Sequence, residues 1–213
     1  MHSSAVQALQ YIKQRVMAGD FAPGSRLTEE GLARDLGLSR TPVREAMRTL
    51  VADGFLRFKP NSGTFVAEWS EEDIRQIFDL RTILEGQIAE AAATHMSPAE
   101  VASLQALQDR MDEAAADAGE AALQRRSALN REFHALIAAA SGRTRLAAAL
   151  ECAIFMPIVQ QTFRRYSKDE ADRSLAHHRE LIDAFRARDP LWARAVMTSH
   201  IRAAMYTLVR KTL

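Results

Sequence analysis

Arg34-Asp35-Leu36-Gly37-Leu38-Ser39-Arg40-Thr41-Pro42-Val43-Arg44-Glu45-Ala46-Met47-Arg48-Thr49-Leu50-Val51-Ala52-Asp53-Gly54 reads as the end of one short helix, a turn at Gly37, and a second helix that opens at Ser39 and closes at Gly54. Ser39 is placed to accept a hydrogen bond from the orphan N–H groups of the new first turn, and Pro42 stands where a missing N–H costs little. Val43, Ala46, Met47 and Leu50 recur at helical spacing and form an apolar stripe. Arg40, Arg44 and Arg48 recur every fourth residue on another face. A charged stripe on a short helix is usually a solvated face, so by itself it decides nothing. It is also what a DNA-reading helix-turn-helix requires: the first turns enter the major groove, where guanidinium forks match guanine edges and phosphates.

The residues after Gly54 separate a solvated face from a DNA reader. Phe55-Leu56-Arg57-Phe58-Lys59 alternates like a strand, Pro60-Asn61-Ser62-Gly63 is turn chemistry, and Thr64-Phe65-Val66-Ala67 alternates again. A β-hairpin directly after the second helix is the layout of a winged helix-turn-helix. The match extends upstream through Gly19-Asp20-Phe21-Ala22-Pro23-Gly24-Ser25-Arg26-Leu27 and Leu32-Ala33, then Leu36 to Ala46 and Gly54-Phe55-Leu56. Over nearly all of residues 5–68 the chain resembles the N-terminal domain of GntR-superfamily bacterial transcription regulators. The resemblance implies that Arg40 and Arg44 read base edges, with Pro42 in the same turn. Ser39, Thr41 and Arg34 then hold phosphates, and the Gly63 wing tip approaches the backbone or the minor groove.

The totals set the frame. A chain of 213 residues suffices for one large or two small domains, and 47% hydrophobic with 26% charged residues is the composition of a soluble globular protein. A formal net charge of +1 leaves any DNA affinity to charge placement. The single cysteine, Cys152, excludes an intrachain disulfide, fits a reducing compartment, and lies in an apolar helical stretch as a small core residue. No signal peptide shows and no apolar run spans a bilayer, so a cytoplasmic location is expected.

In chain order, Ser3 or Ser4 caps a first helix through about Ala18, and Thr28-Glu29-Glu30 starts the second with acids in its first turn. Trp69-Ser70 is a short joint. From Ser70 onward no strand is expected. Ser70-Glu71-Glu72-Asp73 opens a helix to about Thr94, and Ser97-Pro98-Ala99-Glu100 opens another that fades over Asp112–Glu120. A third ends at Ser141-Gly142. One helix over about Thr144–Tyr166 carries Pro157 and a kink; Asp169 to about Arg188 follows, and Asp189-Pro190 starts the last. The expected fold is mainly α: a winged helix-turn-helix over residues 1–68 and an all-α antiparallel bundle of six helices over residues 69–213.

The bundle places polar residues on apolar helix faces. His134 shares a face with Phe133, Ile137 and Ala138, with Asn130 one turn earlier; His178 sits among Leu175, Leu181, Ile182 and Phe185; His200 lies with Val196, Met197, Ala204 and Leu208. One inward histidine is usually a hydrogen-bonded core residue. Three on three helices, with an amide oxygen one turn away, also make a divalent-metal site with open positions for water or a small anion. His2, His95 and His177 read as surface residues. Arg81 lies mostly on the buried side of its helix and needs a partner, either Glu85 at i+4 or the carboxylate of a ligand. Gln160 and Arg164 are further candidates for a pocket lining.

Asn130-Arg131-Glu132-Phe133-His134, His178-Arg179-Glu180-Leu181-Ile182 and His200 resemble the all-helical effector domain of the FCD (FadR-like) branch of GntR regulators, over about residues 71–208. The resemblance implies that Asn130, His134, His178 and His200 hold a metal, zinc or nickel, beneath a pocket for a small carboxylate, with Arg81 as the carboxylate's fork. Asn130 stands where that branch commonly has Asp.

The resulting expectation is a ligand-responsive transcription regulator, a repressor, acting as a homodimer on a palindromic operator in double-stranded DNA. The competing reading is a metal-dependent hydrolase using the three histidines. Against it, the sequence has no HExxH and no evident carboxylate base beside them. A helical storage or scaffold protein would leave the winged helix unexplained.

Overall fold

The computed structural model describes residues 4–117, 119–153 and 156–209, and the side chains of all of these except 152, 153, 156, 157 and 159–161. The expectations for His2, Ser3 and the side chains of Cys152 and Gln160 lie outside the described residues. The elements are α1 (Ser4–Ala18), β1 (Arg26–Leu27), α2 (Glu29–Leu36), α3 (Arg40–Ala52), β2 (Leu56–Lys59), β3 (Gly63–Val66), α4 (Glu71–His95), α5 (Pro98–Ala116), α6 (Glu120–Ala140), α7 (Thr144–Ala153), α8 (Met156–Arg165), α9 (Lys168–Ala187) and α10 (Pro190–Val209). The fold is mainly α, with one small sheet. The chain divides into two units, one built on the segment ending at Ser70 and one on the helices that begin at Glu71. No helix among the described residues is long and apolar enough to cross a membrane.

In the first unit α2 starts at Thr28, whose side chain accepts from the Gly31 N–H at 3.1 Å. It stops at Gly37, which takes φ +64°, ψ 29°, a left-handed conformation that only glycine adopts without strain. The Leu38 N–H then returns to the Ala33 carbonyl at 3.0 Å, and this tight turn swings the chain into α3. Ser39 is the N-cap of α3 in backbone terms, but its side chain makes no capping bond, contrary to expectation. The reason is Pro42. It occupies the third helical position, so one of the N–H groups an N-cap oxygen normally takes does not exist. Val43, Ala46, Met47 and Leu50 bury one face of α3 against Ala8 and Ile12 of α1, Leu32 and Ala33 of α2, and Phe55, Leu56 and Val66 of the wing.

The sheet has one strand more than the hairpin expected from the sequence. Its order is β1-β3-β2, all antiparallel, because Arg26-Leu27 pairs with β3 through Arg26↔Phe65 and Leu27↔Thr64. Two residues are too short for an alternation pattern to register.

The second unit contains seven helices among the described residues, not six. The expected single helix over 144–166 is two, α7 and α8, and Pro157 falls in the first turn of α8, where a residue without an N–H is tolerated. The α5 and α9 starts are capping boxes, Ser97 with Glu100 and Ser167 with Glu170. α10 packs along α4 and α9, and α5 packs against α6 and α9. Gly86 lets α4 approach α10 closely, since a Cβ there would lie 3.2 Å from the Thr198 hydroxyl. Phe78, Ile88, Leu104, Phe133, Ile137, Leu181, Ile182 and Phe185 fill the interior.

Leu50 is fully buried in the core of the first unit and Arg48, two residues away, is exposed. Leu50→Ala is expected to destabilise that unit by about 2–5 kcal/mol, and Arg48→Ala by no more than about 0.5 kcal/mol. Urea unfolding of the two variants checks the contrast.

Candidate functional site

The apolar stripe of α3 faces the core, and its other side stands in solvent. Arg40, Thr41, Arg44 and Arg48 are exposed there, as are Ser39 before the helix and Arg34 in the last turn of α2; Pro42 is half-buried. Without a capping bond the Ser39 hydroxyl remains available on that surface. Arg44 is not loose. Its Nε donates to Glu29 Oε1 at 2.8 Å and its Nη2 to Oε2 at 2.7 Å, a two-pronged pair across the helix-turn-helix, while Arg40 Nη2 lies 3.5 Å from the same carboxylate. The bond from Arg44 is the largest cause holding the Glu29 carboxyl below its ordinary value. The sequence marks Glu29 only as a first-turn acid; a salt bridge spanning fifteen residues has no local spacing to announce it.

The wing adds cations beyond those expected from the sequence. Arg26 and Arg57 both stand opposite Phe65, one on each neighbouring strand, so all three share one sheet face. The Lys59 ammonium lies 5.0 Å from the centre of the Phe65 ring. Gly63 has φ +109°, a conformation that strains any L side chain, and a Cβ there would lie 3.0 Å from Arg26 Nε and displace the guanidinium. The strand alternation contained this face, since Arg57, Lys59 and Phe65 all fall on the outward register.

The second constellation lies in the helical unit. His134, His178 and His200, from α6, α9 and α10, bring one ring nitrogen each within 4.8 Å of one another. The rings lie 4.7 to 5.7 Å apart, and His178 stacks on Phe133 at 4.4 Å. A fourth participant was not expected. Glu85 on α4 is 2% exposed; its Oε2 lies 2.7 Å from His134 Nδ1 and its Oε1 accepts from Arg81 Nε at 2.8 Å. This corrects the expectation that no carboxylate stands beside the histidines. Only helix-to-helix packing brings residues 49 apart together, and spacing along α4 links Glu85 to Arg81 alone.

Burial by itself would raise the Glu85 carboxyl, but the charges of Arg81 and His134 and their hydrogen bonds outweigh it and hold it at about 2. An ionised Glu85 can only accept, so His134 Nδ1 carries the proton between them, and Nε2 is the nitrogen left to face a metal. That Nε2, both nitrogens of His178 and Nδ1 of His200 are buried without a hydrogen-bond partner. Desolvation, reinforced by the neighbouring imidazoles, pushes the His178 and His200 pKa values well below the ordinary one, so both rings are neutral at neutral pH. Buried imidazole lone pairs left unsatisfied, with a carboxylate fixing one tautomer from behind, are the donor set of a divalent-metal site. The residues present fit such an ion.

Asn130 is buried one turn before His134 and, with His178, lines a small cavity that also takes in Arg126, Phe163, Tyr166 and Ser174. Arg164, a candidate for such a pocket, pairs instead with Glu120 at 2.6 Å. His95 is exposed, as expected. His177 is half-buried instead, its ring 5.9 Å from that of His200, because α9 turns both of its consecutive histidines toward α10.

Comparison with known proteins accords with this division. Residues 4–66 match the model of the bacterial regulatory proteins of the gntR family, and residues 76–203 match the FCD domain. A protein of Paenarthrobacter nicotinovorans named a probable D-xylose utilization operon transcriptional repressor is 29% identical over 202 residues, 93% of this chain and 86% of its own length. An uncharacterized HTH-type transcriptional regulator in the TAR-I ttuE-ttuC' intergenic region of Agrobacterium vitis is 33% identical over 141 residues, 64% of this chain and 80% of its own length. Among solved structures, McbR/YncC of E. coli superposes with a TM-score of 0.75 over the full length of both chains at 25% identity. A reader helix whose arginines all face solvent and a helical unit with converging imidazoles are thus the two halves of a known architecture: this chain belongs to the GntR family of bacterial transcription regulators, in the branch that carries an FCD domain.

Proposed function

We propose that this chain is a ligand-responsive repressor that binds a palindromic operator as a homodimer and senses a small carboxylate through a metal-assisted pocket. The observation that carries the reading is the two-faced character of α3, with four apolar residues buried and Arg40, Arg44 and Arg48 all in solvent. Arg40 and Arg44 read base edges in the major groove, Ser39, Thr41 and Arg34 hold phosphates, and the Gly63 tip follows the adjacent backbone. Glu29 keeps the Arg44 fork extended in the free protein and yields it to a guanine edge. One short helix covers only a few base pairs, so useful specificity calls for two copies on two half-sites.

In this reading residues 1–68 bind DNA and residues 69–213 bind effector and dimerise. His134, His178 and His200, with Asn130, hold zinc or nickel; bound there, the ion supplies a positive centre for a carboxylate. Glu85 orients His134 and Arg81 keeps Glu85 charged. An effector regulates only by binding the DNA-competent and DNA-incompetent arrangements with different affinity.

Three outcomes are expected. Duplex binding to a site selected from a random pool should fall steeply with salt, and Arg44→Ala should weaken it by roughly 10- to 100-fold, about the value of one bidentate base contact; fluorescence anisotropy measures both, and unchanged affinity in the variant overturns the reader assignment. The double variant His178→Ala, His200→Ala should lose the divalent metal that the wild type retains through dialysis, as judged by elemental analysis; equal metal content removes the site.

The third concerns pH. In metal-free protein His178 and His200 are held neutral while the unfolded chain takes up protons below about 6.5. The unfolded state then binds more protons, so stability falls as pH drops through that value, by up to roughly 1.4 kcal/mol per histidine per pH unit. Urea midpoints compared between neutral and mildly acidic buffer should show the loss, and a flat profile contradicts it.

A further inference from the structure

The cavity beside the imidazoles contains a cation with no counter-charge. Arg126, Asn130 and His134 lie four residues apart on α6 and so share one face. Arg126 lines the cavity, and its Nε is buried with no hydrogen-bond partner. Four other arginines of this unit are tied to acids: Arg81 to Glu85, Arg164 to Glu120, Arg125 to Asp117 and Arg179 to Asp112. Arg126 forms no ion pair among the described residues. No Asp or Glu lines the cavity; its other polar groups are the neutral Asn130 amide, the Tyr166 and Ser174 hydroxyls and the His178 ring. Burial raises the Tyr166 phenol, partly offset by its hydrogen bond with Ser174, so that group is neutral too.

A half-buried guanidinium whose Nε is out of water and unpaired is unfavourable, and what satisfies it best is an anion that can take its fork. One guanidinium matches one negative charge. The remaining wall, Met111, Phe163 and Leu175, is apolar and favours a carbon body behind that charge over a fully hydrated inorganic ion.

We infer that Arg126, not Arg81, receives the carboxylate of a small organic acid bound in this cavity. The inference rests on the proposal that the helical unit takes a carboxylate effector, and it names the group that recognises it. Arg81 is a positioning residue: its charge is spent on Glu85, and its task is to keep that carboxylate ionised behind His134. Asn130, between Arg126 and His134 on the same face, lies where the ligand's body passes from the guanidinium toward the imidazoles.

The test uses full-length protein of measured zinc content, titrated calorimetrically at constant ionic strength with acetate, lactate and succinate, and with inorganic phosphate and methyl lactate as controls. At least one carboxylate should bind, and phosphate and the uncharged ester should not. Arg126→Met should weaken carboxylate binding tenfold or more, Arg126→Lys should weaken it less, and zinc content should stay unchanged in both. Ligand-free Arg126→Met should melt no lower than wild type, because the variant loses a half-buried cation that has no ion-pair partner. Equal carboxylate affinity in Arg126→Met, or a loss confined to Arg81→Met, overturns the Arg126 assignment and leaves the effector reading standing. A lower melting temperature for ligand-free Arg126→Met marks the side chain as structural and overturns the assignment as well. If no carboxylate binds the wild type, or phosphate alone does, the effector reading itself fails and takes this inference with it.

Discussion

An ionised carboxylate inside a helical bundle is tolerable only when both of its oxygens are occupied, and Glu85 meets that condition with Arg81 on one side and His134 on the other. The chain Arg81–Glu85–His134 joins α4 to α6 and fixes the tautomer of the histidine. Because Nδ1 of His134 is committed to Glu85, Nε2 is the nitrogen left to meet His178 and His200. The convergence of three ring nitrogens therefore depends on a charge pair one step further back. Were Glu85 absent, His134 could take either tautomer and would lose its anchor to α4. Such a pair is weak ground for stability, since its desolvation cost is of the same order as its attraction. Its value lies in the orientation it imposes.

The first unit uses the same device at its surface. Glu29 and Arg44 meet through two hydrogen bonds across the turn that Gly37 makes possible, so an arginine on α3 is oriented by an acid on α2. Here both partners are solvated, and the net energy of the pair is small. A pair so near balance fits the proposed role of Arg44, in which the guanidinium exchanges one planar acceptor for another. A buried version would hold Arg44 too firmly to be given up, and no partner at all would leave the long side chain to be ordered when it binds.

Much of this was legible in the sequence. The α3 stripe, the Gly37 turn, the hairpin register and the inward histidines all follow from periodicity and turn chemistry within a dozen residues, and these are the features the structure reproduces. What escaped was long-range or subtractive. Glu85 meets His134 across 49 residues, Glu29 meets Arg44 across 15, and β1 pairs with a strand nearly forty residues on through only two positions. Arg126 is notable for what it lacks, and a missing partner is visible only once every other charge has been placed. Ser39 is a different case. That its side chain has one fewer N–H to cap was readable from Pro42 three residues later, because a proline at the third helical position removes one of the two N–H groups an N-cap oxygen takes.

Finding a carboxylate next to the imidazoles would ordinarily strengthen the case for hydrolysis, where such a group takes a proton from water. Glu85 is unsuited to that work. Its two oxygens are engaged by Arg81 and His134, and those same neighbours hold its pKa at about 2, far from the range in which a general base is effective near neutral pH. Among the described residues no other Asp or Glu joins the three-histidine group, and the small cavity beside it is lined by neutral groups and one cation. In the proposed reading such a centre receives an anion, and among the described residues no further carboxylate stands beside it to activate a nucleophile. The electrostatics that make Glu85 a good orienting group thus make it a poor general base, in agreement with the regulatory family to which the chain belongs.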